Sequence, residues 1–285
     1  MSILELLQYA KKSFADADVE NPQKNAEILL SYLLNCSSGE IYLKENPLID
    51  SNRLDSLIQQ RINNEPWAYI FNSVQFRNLE LNIKKGVFIP RPETEILAEE
   101  TIRKVKSQQS KVKSILELGT GCGNIAISLA KTFPSVLVTT ADISKTALKI
   151  AKINARRYNL KNIRFLYSDL YKNIPRQKFD IVVSNPPYVP VSSLKTLAPE
   201  VRKEPRLALN GGKKGVFILQ KIIKSTASFL KKEGYLFLEI GICQDDLLKK
   251  IIAQSKLKLI KIVKDYQGIP RVTILRKKQK VESNK

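Results

Sequence analysis

The amino-acid sequence predicts an α/β protein in which a small helical unit precedes an open, mainly parallel sheet covered on both faces by helices. Three observations predict it. Apolar residues in the first 64 positions recur every three or four residues, as on one face of a helix. From Lys113 onward, short apolar strands alternate with helical segments. A glycine-rich turn, Glu117-Leu118-Gly119-Thr120-Gly121-Cys122-Gly123, follows the first of these strands. It sits at the carboxyl end of that strand, where open α/β sheets hold their ligands.

Taken in order, Ile3 to Phe14 carries the first apolar stripe. Asn21 as N-cap and Pro22 at the first helical position open a second helix, with Ala26, Leu29, Leu30, Leu33 and Leu34 on one face. Ser51 caps a third, with Leu54, Leu57, Ile58 and Ile62 aligned. These leucines form a bundle core. Between Val74 and Ile89 the period changes. Phe76, Leu79, Leu81 and Ile83, with Val87 and Ile89 beyond Gly86, predict two short strands around a turn, a hairpin bridging two domains. The prolines of Pro90-Arg91-Pro92-Glu93-Thr94-Glu95 fix two φ angles and exclude helix before Pro92, so a helix runs from about Glu93 to Lys106.

Strands follow at Ser114–Leu118, Val136–Ala141, Ile163–Tyr167, Asp180–Ser184 and Tyr235–Glu239. The intervening helices are Asn124–Phe133, Lys145–Tyr158 and Val216–Leu230. Lys258–Asp265 and Arg271–Arg276, around Gln267-Gly268-Ile269-Pro270, predict an antiparallel finish. The expected domains are a helical unit over residues 1–73, a hairpin linker over 74–89, the sheet domain over 90–276 and a charged mobile tail over 277–285.

Composition narrows the chemistry. The 285 residues contain no histidine, which excludes an imidazole base, a Ser-His or Cys-His pair and histidine metal ligands. Three widely spaced cysteines, Cys36, Cys122 and Cys243, offer no CxxC pair, so neither a disulfide framework nor a metal site is expected. No apolar run reaches the ~18 residues of a membrane span. Met1 to Glu5 lacks a basic stretch ahead of an apolar one, so no signal peptide is expected and the chain reads as cytoplasmic. The formal charge of +21 is uneven: residues 1–85 hold 9 Lys/Arg against 11 Asp/Glu, and residues 86–285 hold 39 against 16. Either the larger domain meets an acidic partner or the lysines are only a solvated surface.

Four signals carry chemistry. The glycine loop is spaced GxGxG with no GK[ST] after it, which suits a cofactor without a pyrophosphate. Asp142 ends the second strand of the sheet domain, where a carboxylate can accept from both ribose hydroxyls, or merely precede a helix. Ser168-Asp169-Leu170 ends the third, where Asp169 could accept from an adenine amino group. The fourth strand ends in Ser184-Asn185-Pro186-Pro187-Tyr188. Methyl transfer from a sulfonium needs a positioned, desolvated nucleophile more than a base. An amide or aromatic amine nitrogen has a delocalised lone pair. The Asn185 side-chain oxygen and the Pro186 carbonyl could accept from its two N–H groups and aim the lone pair, with Tyr188 stacked on the planar group. No titrating group is required, so the rate is expected to be flat from about pH 6 to 9.

The sequence resembles the release factor glutamine N5-methyltransferase family over roughly residues 4 to 276. The resemblance is carried by Phe88-Ile89-Pro90-Arg91-Pro92-Glu93-Thr94-Glu95, by Glu117 to Gly123, by Asn185-Pro186-Pro187-Tyr188, by Glu200 to Leu209 and by Asp265 to Arg271. It implies a Rossmann-like, seven-stranded class I methyltransferase domain with a small helical N-terminal domain and a hairpin linker. It implies S-adenosylmethionine as cofactor, held by Gly119, Thr120, Gly121, Cys122, Gly123, Asp142, Asp169, Leu170 and Asn185. Asn185, Pro186, Pro187 and Tyr188 would be catalytic and contact the substrate, with Arg91 and Glu93 near the pocket mouth. Glu204-Pro205-Arg206 would brace the loop after Tyr188, and Asp265 and Arg271 would be sheet-edge structure. The implied partner is a peptide chain release factor, methylated on the glutamine of its Gly-Gly-Gln motif by a monomer that needs neither membrane nor nucleic acid. Trp67 and Leu170 depart from the family's pattern, at positions where an aliphatic and an aromatic residue are expected. Three rival readings stand beside this one: a glutamine methyltransferase of a ribosomal protein, an N6-adenine DNA methyltransferase, and a non-catalytic S-adenosylmethionine-binding adaptor. Asn-Pro-Pro-Tyr also occurs in nucleic-acid N-methyltransferases, but no separate target-recognition domain is visible here.

Overall fold

Helix caps written into the sequence start the chain. In the computed structural model, which describes residues 1–45, 47–108 and 111–279, α1 (Ile3–Asp16) opens on a reciprocal cap. Glu5 N–H donates to the Ser2 hydroxyl, and the Ser2 N–H donates to the Glu5 carboxylate. In α2 (Pro22–Leu34), Asn21 is the N-cap, but it is left-handed and its side chain caps nothing; Pro22 supplies the start instead. The cap of α3 (Ser51–Ile62) is Asp50, whose carboxylate accepts from Asn52 N–H, and Ser51 is already helical. A short α4 (Trp67–Phe71), absent from the sequence reading, completes the set.

These helices enclose one core built on Leu6, Phe14, Leu29, Leu30, Leu54 and Ile58. Trp67 belongs to it. Its indole N–H donates to Asn25 Oδ1 at 2.7 Å and its ring stacks on Phe71, so its departure from the family's pattern is a packing solution. By its contacts the chain divides into Met1–Asn72 with Pro199–Lys203, and Ser73–Ala198 with Glu204–Lys285.

The hairpin β1 (Ser73–Phe76) and β2 (Leu79–Asn82) turns at Arg77-Asn78, with Arg77 left-handed. Val87 and Ile89 are buried but lie beyond it, outside any strand. The hairpin belongs to the larger unit, where α5 (Pro92–Ser107), β3 (Ser114–Leu118), α6 (Asn124–Thr132), β4 (Leu137–Asp142) and α7 (Lys145–Arg157) follow. Asn154 on α7 accepts from Asn82 N–H and donates to Asn82 O, which ties β2 to α7. Next come β5 (Ile163–Tyr167), β6 (Phe179–Ser184), the one-turn α8 (Arg206–Leu209), α9 (Phe217–Thr226), β7 (Leu230–Glu239), α10 (Asp245–Ala253), β8 (Leu257–Lys264) and β9 (Pro270–Lys277).

Seven strands form one sheet in the order β5-β4-β3-β6-β7-β9-β8, parallel except for the pairs made by β9. Alternation sends Leu116, Leu118, Val182, Leu236 and Leu238 to the face covered by α9 and α10. Glu117, Val183 and Phe237 share the other face in register. Element bounds differ from the sequence expectation by a residue or two at most ends. At the end of α9 the apolar run from Phe217 hides the stop, and Leu230 is already the first residue of β7. The sequence reading missed α10, which starts on Gln244, a weak cap. No described helix is long and apolar enough to cross a membrane. Of the expected tail, residues 280–285 lie outside the described residues.

Candidate active site

The strand order reverses at β3, whose neighbours β4 and β6 lead away in opposite directions. Such a switch point leaves a crevice at the carboxyl ends of the strands. There the structure has a pocket of about 190 Å³. Its walls come from the turn after β3 (Gly119, Thr120, Gly121), the end of β4 (Asp142, Ile143, Ser144), the turn after β5 (Ser168, Asp169, Leu170) and the turn after β6 (Asn185, Pro187). A Cβ added at Gly119 would lie 3.8 Å from the Asn185 carbonyl, so the first and last of these turns are neighbours.

Each wall is held by a bond the local sequence makes available. Asp142 Oδ2 accepts from Gly121 N–H at 3.0 Å, and Oδ1 accepts from Ser144 N–H at 2.8 Å. Ser144 then caps α7 through Ala147 N–H. The Asp142 carboxyl is raised above its ordinary range by burial, partly offset by those amides. Leu170 is left-handed at φ +47, and its carbonyl accepts from the Ser168 hydroxyl. The Thr120 hydroxyl is buried on the pocket wall, close to the buried Glu117 carboxyl, whose anion it favours.

Cys122 and Gly123 do not line the pocket. Cys122 is fully buried, and burial pushes its thiol up to about 12. Gly123 is left-handed, and a Cβ there would come within 2.8 Å of Ile127 and 3.2 Å of Ala151. It lets α6 and α7 pack closely.

Among the expected substrate residues, Asn185 and Pro187 line the pocket and Pro186 is buried behind them. Asn185 Nδ2 donates to Thr94 Oγ1 at 3.0 Å, and its Oδ1 makes no hydrogen bond among the described residues. Tyr188 is not a pocket wall. Its ring packs on the core and its hydroxyl donates to Glu239 Oε1 at 3.2 Å. Gln244, at the cap of α10, donates to Tyr188 O at 2.8 Å and to Gly215 O. Gly215 is left-handed with its Cα against Tyr188, and a Cβ there would sit 2.1 Å from the Tyr188 carbonyl. These contacts make the Asn-Pro-Pro-Tyr turn rigid.

Arg91 and Glu93 are also engaged elsewhere. The Arg91 guanidinium pairs with Glu204, and Glu93 lies 3.6 Å from Arg271. Glu204 accepts from Ile89 N–H at 3.0 Å, so it braces the segment leading into α5. The segment after Tyr188 is held by Leu209 and Gly211 through Val189. Arg271 is more than sheet edge: it is held by Asp265 at 2.8 Å and its charge reaches Tyr188 and Glu239.

The sequence reading missed several contributors. Gly86, Val87, Phe88, Pro205, Leu207 and Ile218 line the pocket from distant parts of the chain. Two buried carboxyls, Glu117 at the end of β3 and Glu239 at the end of β7, stand beside the site. Burial raises each to about 7. Both carry a visible signal, an acidic residue inside an apolar run (Ile-Leu-Glu-Leu and Phe-Leu-Glu-Ile).

Comparison with known proteins places this geometry. Residues 84–201 match the methyltransferase small domain, and residues 5–71 match the PrmC N-terminal domain. A release factor glutamine methyltransferase of Thermodesulfovibrio yellowstonii is 36% identical over 258 residues, 89% of this chain and 92% of its own length. One from Buchnera aphidicola subsp. Acyrthosiphon pisum is 37% identical over 284 residues, 97% of this chain and 100% of its own length. A crystal structure of a methyltransferase from Pyrococcus furiosus shares the fold, with a TM-score of 0.52 and 19% identity over 81% of this chain and 100% of that one. With its two halves matched and relatives of this identity along its length, the chain belongs to the release factor glutamine methyltransferase family.

Proposed function

We propose that this enzyme transfers a methyl group from S-adenosylmethionine to the side-chain amide nitrogen (N5) of a glutamine in a peptide chain release factor. The observation that carries the reading is Asn185. Its nitrogen is tied to Thr94, its oxygen makes no hydrogen bond among the described residues, and the residue lines the pocket at the end of the strand beside the glycine turn. When bound, S-adenosylmethionine supplies a methyl group made electrophilic by a sulfonium. The residues present fit such a group: a glycine turn open at Gly121, and an acceptor carboxylate at Asp142 on the pocket wall. Gly119 to Gly121, Asp142, Asp169 and Leu170 would hold it.

The chain's own residues position the nucleophile. Asn185 Oδ1 and the Pro186 carbonyl, beyond the last paired residue of β6, accept from the two N–H groups of the glutamine amide. Acceptors on both sides fix the amide plane and favour the positive charge that develops on nitrogen. The substituted nitrogen is then acidic enough to lose its proton to water, so no strong base is needed. The enzyme works as a monomer with the release factor as its partner, and needs no nucleic acid. It acts in the cytoplasm, in keeping with its three unpaired cysteines.

Two measurements test the reading. A purified release factor incubated with the enzyme and S-adenosylmethionine should gain one methyl on one glutamine by mass spectrometry; label that appeared in nucleic acid instead would overturn it. Asp142→Ala should weaken cofactor binding about ten- to a hundredfold, the effect of ~1–3 kcal/mol for hydroxyls left without their acceptor. Unchanged affinity by calorimetry would remove Asp142 from the site.

A further inference from the structure

Asn185 can offer a substrate either an accepting oxygen or a donating nitrogen, and only the oxygen can take the N–H of a glutamine amide. Something has to set which one faces the pocket. Asn185 Nδ2 donates to Thr94 Oγ1, and Thr94, in the first turn of α5, is buried at 1% exposure. A hydroxyl that accepts from Asn185 still holds its own proton and needs an acceptor for it. Glu239 stands there. Tyr188 donates to its Oε1, its buried Oε2 carries no hydrogen bond and is open to one, and the nearby Thr94 hydroxyl favours its anion.

Resting on the activity proposed above, we propose that Glu239 and Thr94 are positioning residues that set the orientation of the Asn185 amide, with Glu239 in its ionised form holding Oδ1 toward the substrate. The logic is directional. An ionised Glu239 can only accept, so the Thr94 proton turns to it and the Thr94 oxygen accepts from Asn185 Nδ2. A neutral Glu239 can donate to Thr94. The hydroxyl then donates to Asn185, and the amide turns over. Its N–H groups now face the N–H groups of the substrate.

Burial places the Glu239 carboxyl at about 7, so both forms are populated near neutrality. Glu93 on α5 raises it, while Arg271 on β9 and the hydroxyls of Thr94 and Tyr188 lower it. The relay therefore replaces the flat profile expected from sequence with an acid limb: kcat falls ~10-fold per pH unit below the Glu239 pKa.

The test has three arms. Thr94→Val should lower kcat ~10-fold or more, because a misdirected amide no longer positions the nucleophile. Cofactor affinity by calorimetry and KM for the release factor should stay within about twofold, and Thr94→Ser should restore most of the rate. Glu239→Gln should abolish the acid limb while leaving a rate that no longer depends on pH below neutrality. Independently of any substrate, the ¹⁵N side-chain resonance of Asn185 should titrate with a midpoint near 7 in the wild type and not in Glu239→Gln. The relay is wrong if Thr94→Val keeps the wild-type kcat, if Glu239→Gln keeps the wild-type limb, or if the Asn185 resonance does not titrate. Should Thr94→Val lose cofactor binding, the Glu239→Gln profile and the resonance decide. Because the resonance needs no turnover, a wild-type enzyme that left release factors unmethylated would sink the proposed activity without deciding the relay.

Discussion

Asn185→Ala is expected to lower the single-turnover rate by at least ~10²-fold, the effect of removing one pre-organised polar contact to a transition state. The fold and most binding of the release factor, which comes from a wider surface, should persist. Thr94 loses a donor, but the turn is still held by Gln244 and by the left-handed Gly215. Asn185→Asp is the sharper substitution. It keeps an acceptor but adds a negative charge where a cationic methyl donor sits, so cofactor affinity should hold or tighten while the rate falls. The new carboxylate also competes with Glu239 for the Thr94 proton. Single-turnover kinetics on a release-factor substrate separates binding from chemistry. A rate near wild type for either variant would refute the orienting role.

The protein is expected to lose stability as pH rises from about 4.5 to about 7, the reverse of ordinary acid denaturation. Glu117 and Glu239 are fully buried and raised from 4.5 to about 7. Below about 4.5 both the folded and the unfolded chain hold these protons and the burial is tolerated. Between 4.5 and 7 the unfolded chain has released them and the folded one has not, so stability falls steadily as pH rises. Above 7 the loss is complete. At ~1.4 kcal/mol for each pH unit crossed in that window, each carboxyl contributes a loss of ~3 kcal/mol. Asp142, also raised by burial, adds to it in the same direction. The absence of histidine makes the window clean, because no imidazole titrates between pH 5.5 and 8.5 to mask the effect. Urea unfolding of the free enzyme at pH 5.5 and 8.5 measures the part of the loss above 5.5, ~2 kcal/mol for each carboxyl, and Glu117→Gln should remove its share. Equal or greater stability at pH 8.5 would count against the buried charges.

What could be read from the sequence were features with a local cause. The 3.6 period of Leu29, Leu30 and Leu33, the short apolar strands and the glycine turn each follow from neighbours in the chain. Asn185 was legible because two prolines after a buried strand have few other uses. Residues assembled by the fold were hidden. Thr94 and Asn185 are 91 positions apart and meet through one hydrogen bond. Gly86 to Phe88 reach the pocket because the hairpin is anchored to α7 through Asn154. Cys122 and Gly123 lie behind the pocket wall. A glycine loop offers alternating faces, and a motif does not say which of its residues face the ligand. Tyr188 shows the same alternation: its neighbour Pro187 lines the pocket, and its own ring packs on the core.

The place of β9 has a consequence for how the molecule is made. It is the last strand of the sheet to be synthesised, yet it lies between β7 and β8. Until it leaves the ribosome, β8 has no partner and β7 presents an open edge with Leu236, Phe237 and Leu238 at its centre. The half of the site built on β3 to β6 can form while translation continues. Glu239 and Arg271 come together only when β9 pairs with β7, since Glu239 lies opposite Val272. A nascent chain stalled before Pro270 would therefore expose a sticky strand edge and lack the assembled acid end of its site. Competence to bind cofactor could then precede competence to use it within a single round of synthesis.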